Sequence, residues 1–169
     1  MFLCLQEHLR RRWAKPVTHV QVEYQGVRSD PIEIPIVATG PGLFYRKREW
    51  NGPGLHSQRR WCDEELRIGP AMPGSVIILY GTGEGLTDPR GVDGRLAIDV
   101  LPKPVAAVSV EIGGLPAAVE YAGAAPYTMP GMVQINATMS SNVASGDHIP
   151  VVAKIGGRVS QDGVTVAVR

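Results

Sequence analysis

The 169-residue chain is long enough for one domain of ordinary size with a substantial hydrophobic core. Seventeen Lys and Arg against sixteen Asp and Glu give a net charge of +1, a field too weak to concentrate a polyanion. We therefore expect no nucleic-acid partner. Twenty Gly and fourteen Pro interrupt a composition that is 44% hydrophobic, which predicts many short strands joined by turns.

The N-terminal segment, residues 1–16, is predicted to be an irregular or disordered tail. Its apolar residues precede its charges, which is the reverse of a secretory signal. No stretch of the chain reaches the roughly eighteen apolar residues of a membrane span, so we expect no membrane insertion. Cys4 and Cys62 fit no metal-binding pattern, and we therefore expect free thiols, no metal centre and no cofactor.

Residues 17–38 are predicted to form a hairpin that repeats the last hairpin of the chain, and a domain boundary is expected near Val37. A hairpin alone is marginal in water, so its apolar face should pack on the following domain, on the next loop, or on a second copy through open strand edges. The aligned residues are Val20, Val22, Tyr24, Gly26 and Ser29 with Val151, Ala153, Ile155, Gly157 and Ser160, then Ile32, Ile34 and Ile36 with Val164, Val166 and Val168.

Residues 39–69 are predicted to be a linker or exposed loop, because residues 46–68 mix charge, Trp and chain breakers without any period. Arg interleaved with Trp suits stacking on sugars, on single-stranded bases, or against a protein partner. The alternative is a loop whose Trp side chains cover the end of a core. The candidate ligand-binding residues are Arg46, Arg48, Trp50, Arg59, Arg60 and Trp61.

Residues 70–169 predict an all-β domain, because short apolar runs alternate with turn signals and several runs show period-two alternation. The specific expectation is an antiparallel immunoglobulin-like β-sandwich of about seven strands. The orphan hairpin and the irregular loop precede it in the chain. Its predicted core is Val76, Ile78, Val108, Val110, Ile112, Val119, Tyr121, Val133, Ile135, Val151, Val164 and Val166.

The run Gly81-Thr-Gly-Glu-Gly85 resembles a phosphate loop but lacks the Lys and the following helix, and Glu84 carries the wrong charge. We therefore predict a strand-exit turn. The acidic residues that follow form weak calcium candidates at Asp88 and Asp93, and with Asp99 they are the carboxylates that a weak hydrolase could use. The four histidines are scattered over different predicted elements, so no catalytic constellation is expected.

Residues 71–168 resemble the Solibacter-type uncharacterised C-terminal domain of large, mostly secreted acidobacterial proteins. The resemblance rests on Pro73-Gly-Ser75 with Gly81-Thr-Gly83, on Gly113-Gly-Leu-Pro-Ala117 and on Gly131-Met-Val-Gln-Ile-Asn136. The same succession also resembles IPT/TIG and other immunoglobulin-like modules. The chain departs from the family in residues 1–16, in the Arg- and Trp-rich segment 45–68 and in Ala137-Thr-Met-Ser140, as a truncated or divergent member would.

The resemblance implies a non-catalytic structural or adhesion module at the C-terminus of an exported bacterial protein, in the extracellular space or the cell envelope. It also implies that residues 17–38 end a truncated preceding immunoglobulin-like module. The family supplies no catalytic residues. The open alternatives are a carbohydrate-binding accessory module and a weak hydrolase, and the expected partners are a protein or carbohydrate surface and a second copy of the chain.

Overall fold

The computed structural model describes residues 16–44, 70–92 and 94–169, and every regular element in these ranges is a β-strand. The strands pair antiparallel, apart from one isolated parallel bridge between Ala71 and Val168. The prediction of an all-β antiparallel fold is confirmed at this level. The chain divides into two compact units, Met1–Ala38 and Thr39–Arg169.

The described part of the first unit is a hairpin of four short strands: β1 (Val17–Val20), β2 (Glu23–Tyr24), β3 (Val27–Arg28) and β4 (Ile32–Pro35). β2 and β3 pair across the turn at Gln25 and Gly26, where φ is 50° and 79°. Two consecutive residues with positive φ match the right-handed twist of a tight hairpin. β1 pairs with β4, so that Val20 faces Ile32 across the ladder.

The described strands of the second unit are β5 (Gly42–Leu43), β6 (Val76–Thr82), β7 (Thr87–Asp88), β8 (Lys103–Pro104), β9 (Val108–Ile112), β10 (Leu115–Ala124), β11 (Val133–Thr138), β12 (Gly146–Ile155), β13 (Arg158–Val159) and β14 (Thr165–Val168). Most of them form a single large sheet that curls into a half-barrel, in the strand order β13-β12-β9-β10-β11-β6-β5, with β14 paired to β12. β10 makes the curl possible, because its first residues pair with β9, the rest pair with β11, and the register shifts at Glu120.

The core lies inside the curl and is built from inward-facing aliphatic side chains. Its largest fully buried members are Ile112, Ile135, Met139, Ile155, Val110, Val133 and Val168. Most of the predicted core residues are buried or half-buried here, but Val76 and Ile78 are 49% and 54% exposed. The prediction that Val76 and Ile78 belong to the core is therefore wrong. The register with β11 gives the reason, because it places Ile77 opposite Ala137 and Leu79 opposite Ile135 on the inner face.

The predicted linker, residues 39–69, differs from the structure at its beginning. Leu43 is buried in the core, and β5 pairs with β6 through Gly42–Thr82 and Leu43–Gly81. The buried hydroxyl of Thr39 donates a hydrogen bond of 2.8 Å to the carbonyl oxygen of Ile155. Residues 39–44 therefore belong to the second unit, because both their backbone and their side chains have partners there.

The internal repeat in the sequence corresponds to a repeated hydrogen-bond pattern. The Ser29 hydroxyl accepts from the Val22 amide at 3.1 Å, and the Ser160 hydroxyl accepts from the Ala153 amide at the same distance. The pairing of Thr18 with Ile34 corresponds to the pairing of Ile149 with Val166. The two segments thus form the same hairpin in the same register, once exposed and once inside a core.

Candidate functional site

A loop of residues 89–102 bounds the larger of two concavities described in the second unit, a cleft of about 550 Å³. The loop begins and ends at a two-stranded ribbon, because Thr87 pairs with Pro104 and Asp88 with Lys103. Its buried midpoint, Ala97, donates to the carbonyl of Thr128 at 2.9 Å and accepts from the amide of Tyr127 at 2.8 Å. The loop is therefore fixed both at its base and at its centre.

Glu84 lines this cleft and is only 8% exposed. The glycines on either side hold it there, since Gly83 and Gly85 have φ of 81° and 76°, a backbone that other residues rarely adopt. A side chain at residue 83 has no room, because a Cβ there would lie 1.9 Å from the carbonyl oxygen of Gly40. The predicted strand-exit turn is thus present, and it places Glu84 in the lining of the cleft.

The Glu84 carboxylate has no hydrogen bond or ion pair to another of the described residues. Arg90, Arg95 and Asp99 also line the cleft, and all three are exposed. The remaining wall is apolar and is formed by Pro89, Val92, Leu96, Ala97, Ile98, Val100, Pro102, Ala124 and Pro130. The cleft therefore combines a largely buried glutamate, exposed charges of both signs and an apolar wall.

The outward side of β6 and its neighbours forms a second candidate surface, which we name the β6 face. The face consists of Phe44, Val76, Ile78 and Tyr80 together with Gln134, Asn136 and Thr138. Phe44 lies beside Tyr80, because its amide donates to the Tyr80 carbonyl at 2.8 Å, and both aromatic side chains are exposed. An exposed run of large apolar side chains beside a polar strand is a common feature of binding surfaces.

The polar half of the β6 face is internally ordered. The Gln134 side-chain amide donates to Asn136 Oδ1 at 2.9 Å, and Thr138 donates to the carboxylate of Glu120. On the next strand the Tyr121 hydroxyl donates to the carbonyl of Ala124 at 2.7 Å, and burial raises the pKa of this phenol above its ordinary value. These contacts fix the polar groups at defined positions without using all of their donors and acceptors.

A second concavity of about 500 Å³ opens at the Tyr80 end of the β6 face. Tyr80 and Gln134 line it together with residues of the following loop: Ala125, Pro126, Thr128 and Met132. An aromatic ring, a side-chain amide and a threonine thus surround one shallow depression. The β6 face therefore continues into a recess rather than ending at a flat edge.

The predicted ligand-binding residues Arg46, Arg48, Trp50, Arg59, Arg60 and Trp61 lie outside the described residues, and so does Asp93. Asp88 is exposed in β7, and Asp99 is exposed on the rim of the cleft. Within residues 16–44, 70–92 and 94–169, no three His, Cys, Asp or Glu side chains are grouped closely enough to hold a metal ion. No helix in the same ranges has the length and hydropathy of a membrane span.

Sequence reasoning did not find either surface. The run from Val76 to Tyr80 is continuously apolar, so no alternation with polar residues shows which side chains face outward. The sequence indicates only that both faces of this strand are apolar. In the sequence, Glu84 is an unsuitable residue for a phosphate loop and one of the acidic residues, with Asp88, Asp93 and Asp99, that suggest a calcium loop. Its placement between two glycines was the available signal for an unusual backbone.

Comparisons of the chain with protein-family models, with curated proteins and with solved structures give no match.

Proposed function

We propose that the chain is a non-catalytic binding module whose β6 face binds a glycan. The observation that carries this proposal is the neighbouring pair of exposed rings, Phe44 and Tyr80, next to the ordered amides of Gln134 and Asn136. Sugar rings have apolar C–H faces that pack on aromatic rings and hydroxyls that exchange hydrogen bonds with amides. The face offers both kinds of contact on neighbouring strands.

The geometry of the β6 face suits a chain of sugars better than a single buried sugar. The outward residues extend along β6 from Val76 to Tyr80 and then into the recess at Gln134. Strand residues on one face repeat about every 6.6 Å, so the three outward positions of β6 span roughly 13 Å. That length corresponds to about two to three sugar units.

We also propose the finer fold and setting that the sequence suggests: an immunoglobulin-like sandwich related to the Solibacter-type C-terminal domain, within an exported bacterial protein. Two features support the fold, namely the antiparallel pairing and the register shift in β10, where the strand changes its partner from β9 to β11. The setting rests on the sequence resemblance alone. The preceding hairpin fits the same proposal, since it repeats the terminal hairpin of the second unit.

A glycan array followed by calorimetry on the best glycan tests the proposed function. We expect Tyr80→Ala to weaken binding by at least about tenfold, because it removes one ring of the pair. Tyr24→Ala is the matched control, since Tyr24 is an exposed tyrosine in the first unit, at 73% against 44% for Tyr80. It should leave the affinity unchanged.

The same protein should be assayed against a panel of glycoside and ester substrates. Turnover that Asp88→Ala, Asp93→Ala or Asp99→Ala abolishes would establish the hydrolase alternative and overturn the non-catalytic proposal. An array without binding would overturn the glycan proposal, as would equal losses of affinity in Tyr80→Ala and Tyr24→Ala. Binding of proteins but not glycans to the β6 face would assign the face to a protein partner instead.

A further inference from the structure

We infer that Tyr127 supplies a third aromatic ring to the glycan site, at the recess end of the β6 face, where it selects longer glycans over shorter ones. This role rests on the proposed glycan-binding function. The backbone of Tyr127 has a φ of 60°, in the left-handed region. A bulky residue rarely adopts this conformation, and residues that are held in it cluster at ligand sites.

The turn that carries Tyr127 favours a different residue at this position. The amide of Thr128 donates to the carbonyl of Ala125 at 3.3 Å, so that Pro126 and Tyr127 occupy the two central positions of a β-turn. Proline followed by a residue with positive φ is the arrangement of a type II turn, in which glycine or asparagine is usual at the second central position. The preferences of the turn therefore do not explain the tyrosine.

Hydrogen bonds on both sides hold Tyr127 in this conformation. Its amide donates to the carbonyl of Ala97 at 2.8 Å, and the amide of Ala97 donates to the carbonyl of Thr128 at 2.9 Å. The Thr128 hydroxyl donates to the carbonyl of Ala125 at 2.6 Å. The ring itself contributes little to the fold, because Tyr127 is 74% exposed. The surrounding structure thus offsets the cost of presenting an aromatic ring to solvent.

The position of the turn connects Tyr127 to the glycan site. Pro126 and Thr128, its neighbours in the chain, both line the recess that opens beside Tyr80 and Gln134. Consecutive Cα atoms are about 3.8 Å apart, so the backbone of Tyr127 lies close to the wall of this recess. A sugar unit that fills the recess is therefore within reach of the Tyr127 ring, and sugar units farther along β6 are not.

Calorimetry on the full chain tests the role of Tyr127, with the best glycan of the array and with the two glycans that lack one of its terminal units. In the wild-type chain, removal of one of these units should weaken binding at least about tenfold, because that unit fills the recess. Tyr127→Asn should bind the full glycan no more tightly than that shortened glycan, because the ring is lost. Tyr127→Phe keeps the ring and should keep the preference for the full glycan.

Tyr24→Asn in the first unit is the matched control, since Tyr24 is 73% exposed, and it should bind all three glycans as the wild-type chain does. Asparagine adopts a positive φ more readily than tyrosine, so the unfolding temperature of Tyr127→Asn should be no lower than that of the wild-type chain. A lower unfolding temperature would show that the ring serves the fold, and it would overturn the inference. An unchanged preference in Tyr127→Asn, or a lost preference in Tyr127→Phe, would also overturn it.

The results distinguish a failure of this role from a failure of the proposed function. A wild-type chain that binds no glycan would overturn both. If Tyr80→Ala weakens binding while Tyr127→Asn keeps the wild-type preference, only the role of Tyr127 is overturned. Equal affinity of the wild-type chain for the full and the shortened glycans would likewise overturn the length selection and leave the glycan proposal in place.

Discussion

Single positions of this fold differ sharply in how much a charged substitution destabilises them, and two isoleucines illustrate the difference. Ile112 is fully buried at 0% exposure, whereas Ile78 lies on the β6 face. We expect Ile112→Asp to unfold the second unit, because an unpaired buried carboxylate costs several kcal/mol against a typical total stability of about 5 to 15 kcal/mol. Ile78→Asp should change stability by no more than about 1 kcal/mol. Urea unfolding monitored by circular dichroism measures both.

A folded Ile112→Asp variant would show that Ile112 does not face the core. An unfolded Ile78→Asp variant would show that Ile78 does not face outward. The sequence predicts the side of Val110 and Ile112, because polar Ser109 and Glu111 alternate with them. It does not predict the side of Ile77 and Ile78, since all residues of that run are apolar. Only pairing with β11 decides the orientation, and pairing between distant strands depends on the whole core rather than on local pattern.

The repeated serines make the same backbone contact in two different environments. Ser160 is buried and Ser29 is exposed, and each hydroxyl accepts a hydrogen bond from an amide on the opposite strand. Ser160→Ala should lower the free energy of unfolding by about 1 to 3 kcal/mol, because the buried Ala153 amide loses its acceptor. Ser29→Ala should cost no more than about 0.5 kcal/mol, since water replaces the hydroxyl.

Denaturant unfolding of the two serine variants, together with hydrogen exchange of the Val22 and Ala153 amides, measures the difference. Equal destabilisation by both substitutions would mean that burial does not set the strength of this contact. No destabilisation by Ser160→Ala would mean that the hydroxyl is not the acceptor that the Ala153 amide uses.

At the scale of elements, the turn after β6 depends on Gly83, where any side chain would lower the stability of the fold. Gly83 and Gly74 have nearly the same positive φ, 81° and 80°, but a Cβ would meet the Gly40 backbone only at residue 83. Gly74→Ala should therefore cost about 1 kcal/mol from conformation alone. Gly83→Ala should cost at least about 2 kcal/mol more, because the chain near Gly40 must move.

Thermal and urea unfolding of both glycine variants measures this difference. If Gly83→Ala were no more destabilising than Gly74→Ala, the contact between Gly83 and Gly40 would not be a tight one in solution. Position 83 also affects the cleft, since its backbone orients Glu84.

The elements that could be predicted are those whose turns carry a local signal. Gly113-Gly114 and Gly156-Gly157 mark tight hairpin turns in the sequence, and both glycine pairs have positive φ in the structure. β5 carries no such signal, because it has two residues and is held by the edge of β6 and by the side chain of Gln161. The sequence of the 89–102 loop also carries no local signal of its shape, because that shape depends on hydrogen bonds of Ala97 with a distant loop. The cleft is bounded by an element of this second kind, and the β6 face takes Phe44 from the residue that follows β5.

At the scale of the whole molecule, the described residues of the first unit, 16–38, repeat a hairpin of the second unit but leave large apolar side chains exposed. Val151, Val164 and Val168 are buried in the second unit, and their counterparts Val20, Ile32 and Ile36 lie in a hairpin with little core around it. Ile32 and Ile34 are large exposed hydrophobic residues. Apolar area of this kind gains about 25 cal/mol per Å² when it is covered, so the exposed face favours association.

We expect the covering surface to be the same face of a second copy, as an isologous contact between two hairpins. Pro31 and Pro35 remove backbone donors from the second strand, which limits pairing beyond one contact. Ile34→Lys should convert a dimer into a monomer, because a charge enters the middle of the contact. Glu33→Lys is the matched control, since residue 33 lies on the opposite face of the same strand, beside His19.

Sedimentation velocity of the full chain at several concentrations distinguishes the outcomes. The wild-type chain and Glu33→Lys should sediment as dimers at concentrations at which Ile34→Lys sediments as a monomer. The dissociation constant should rise at least about tenfold in Ile34→Lys, because burial in the contact removes water from the lysine charge. A wild-type monomer at all concentrations, or dimers in both variants, would show that a second copy does not cover this hairpin.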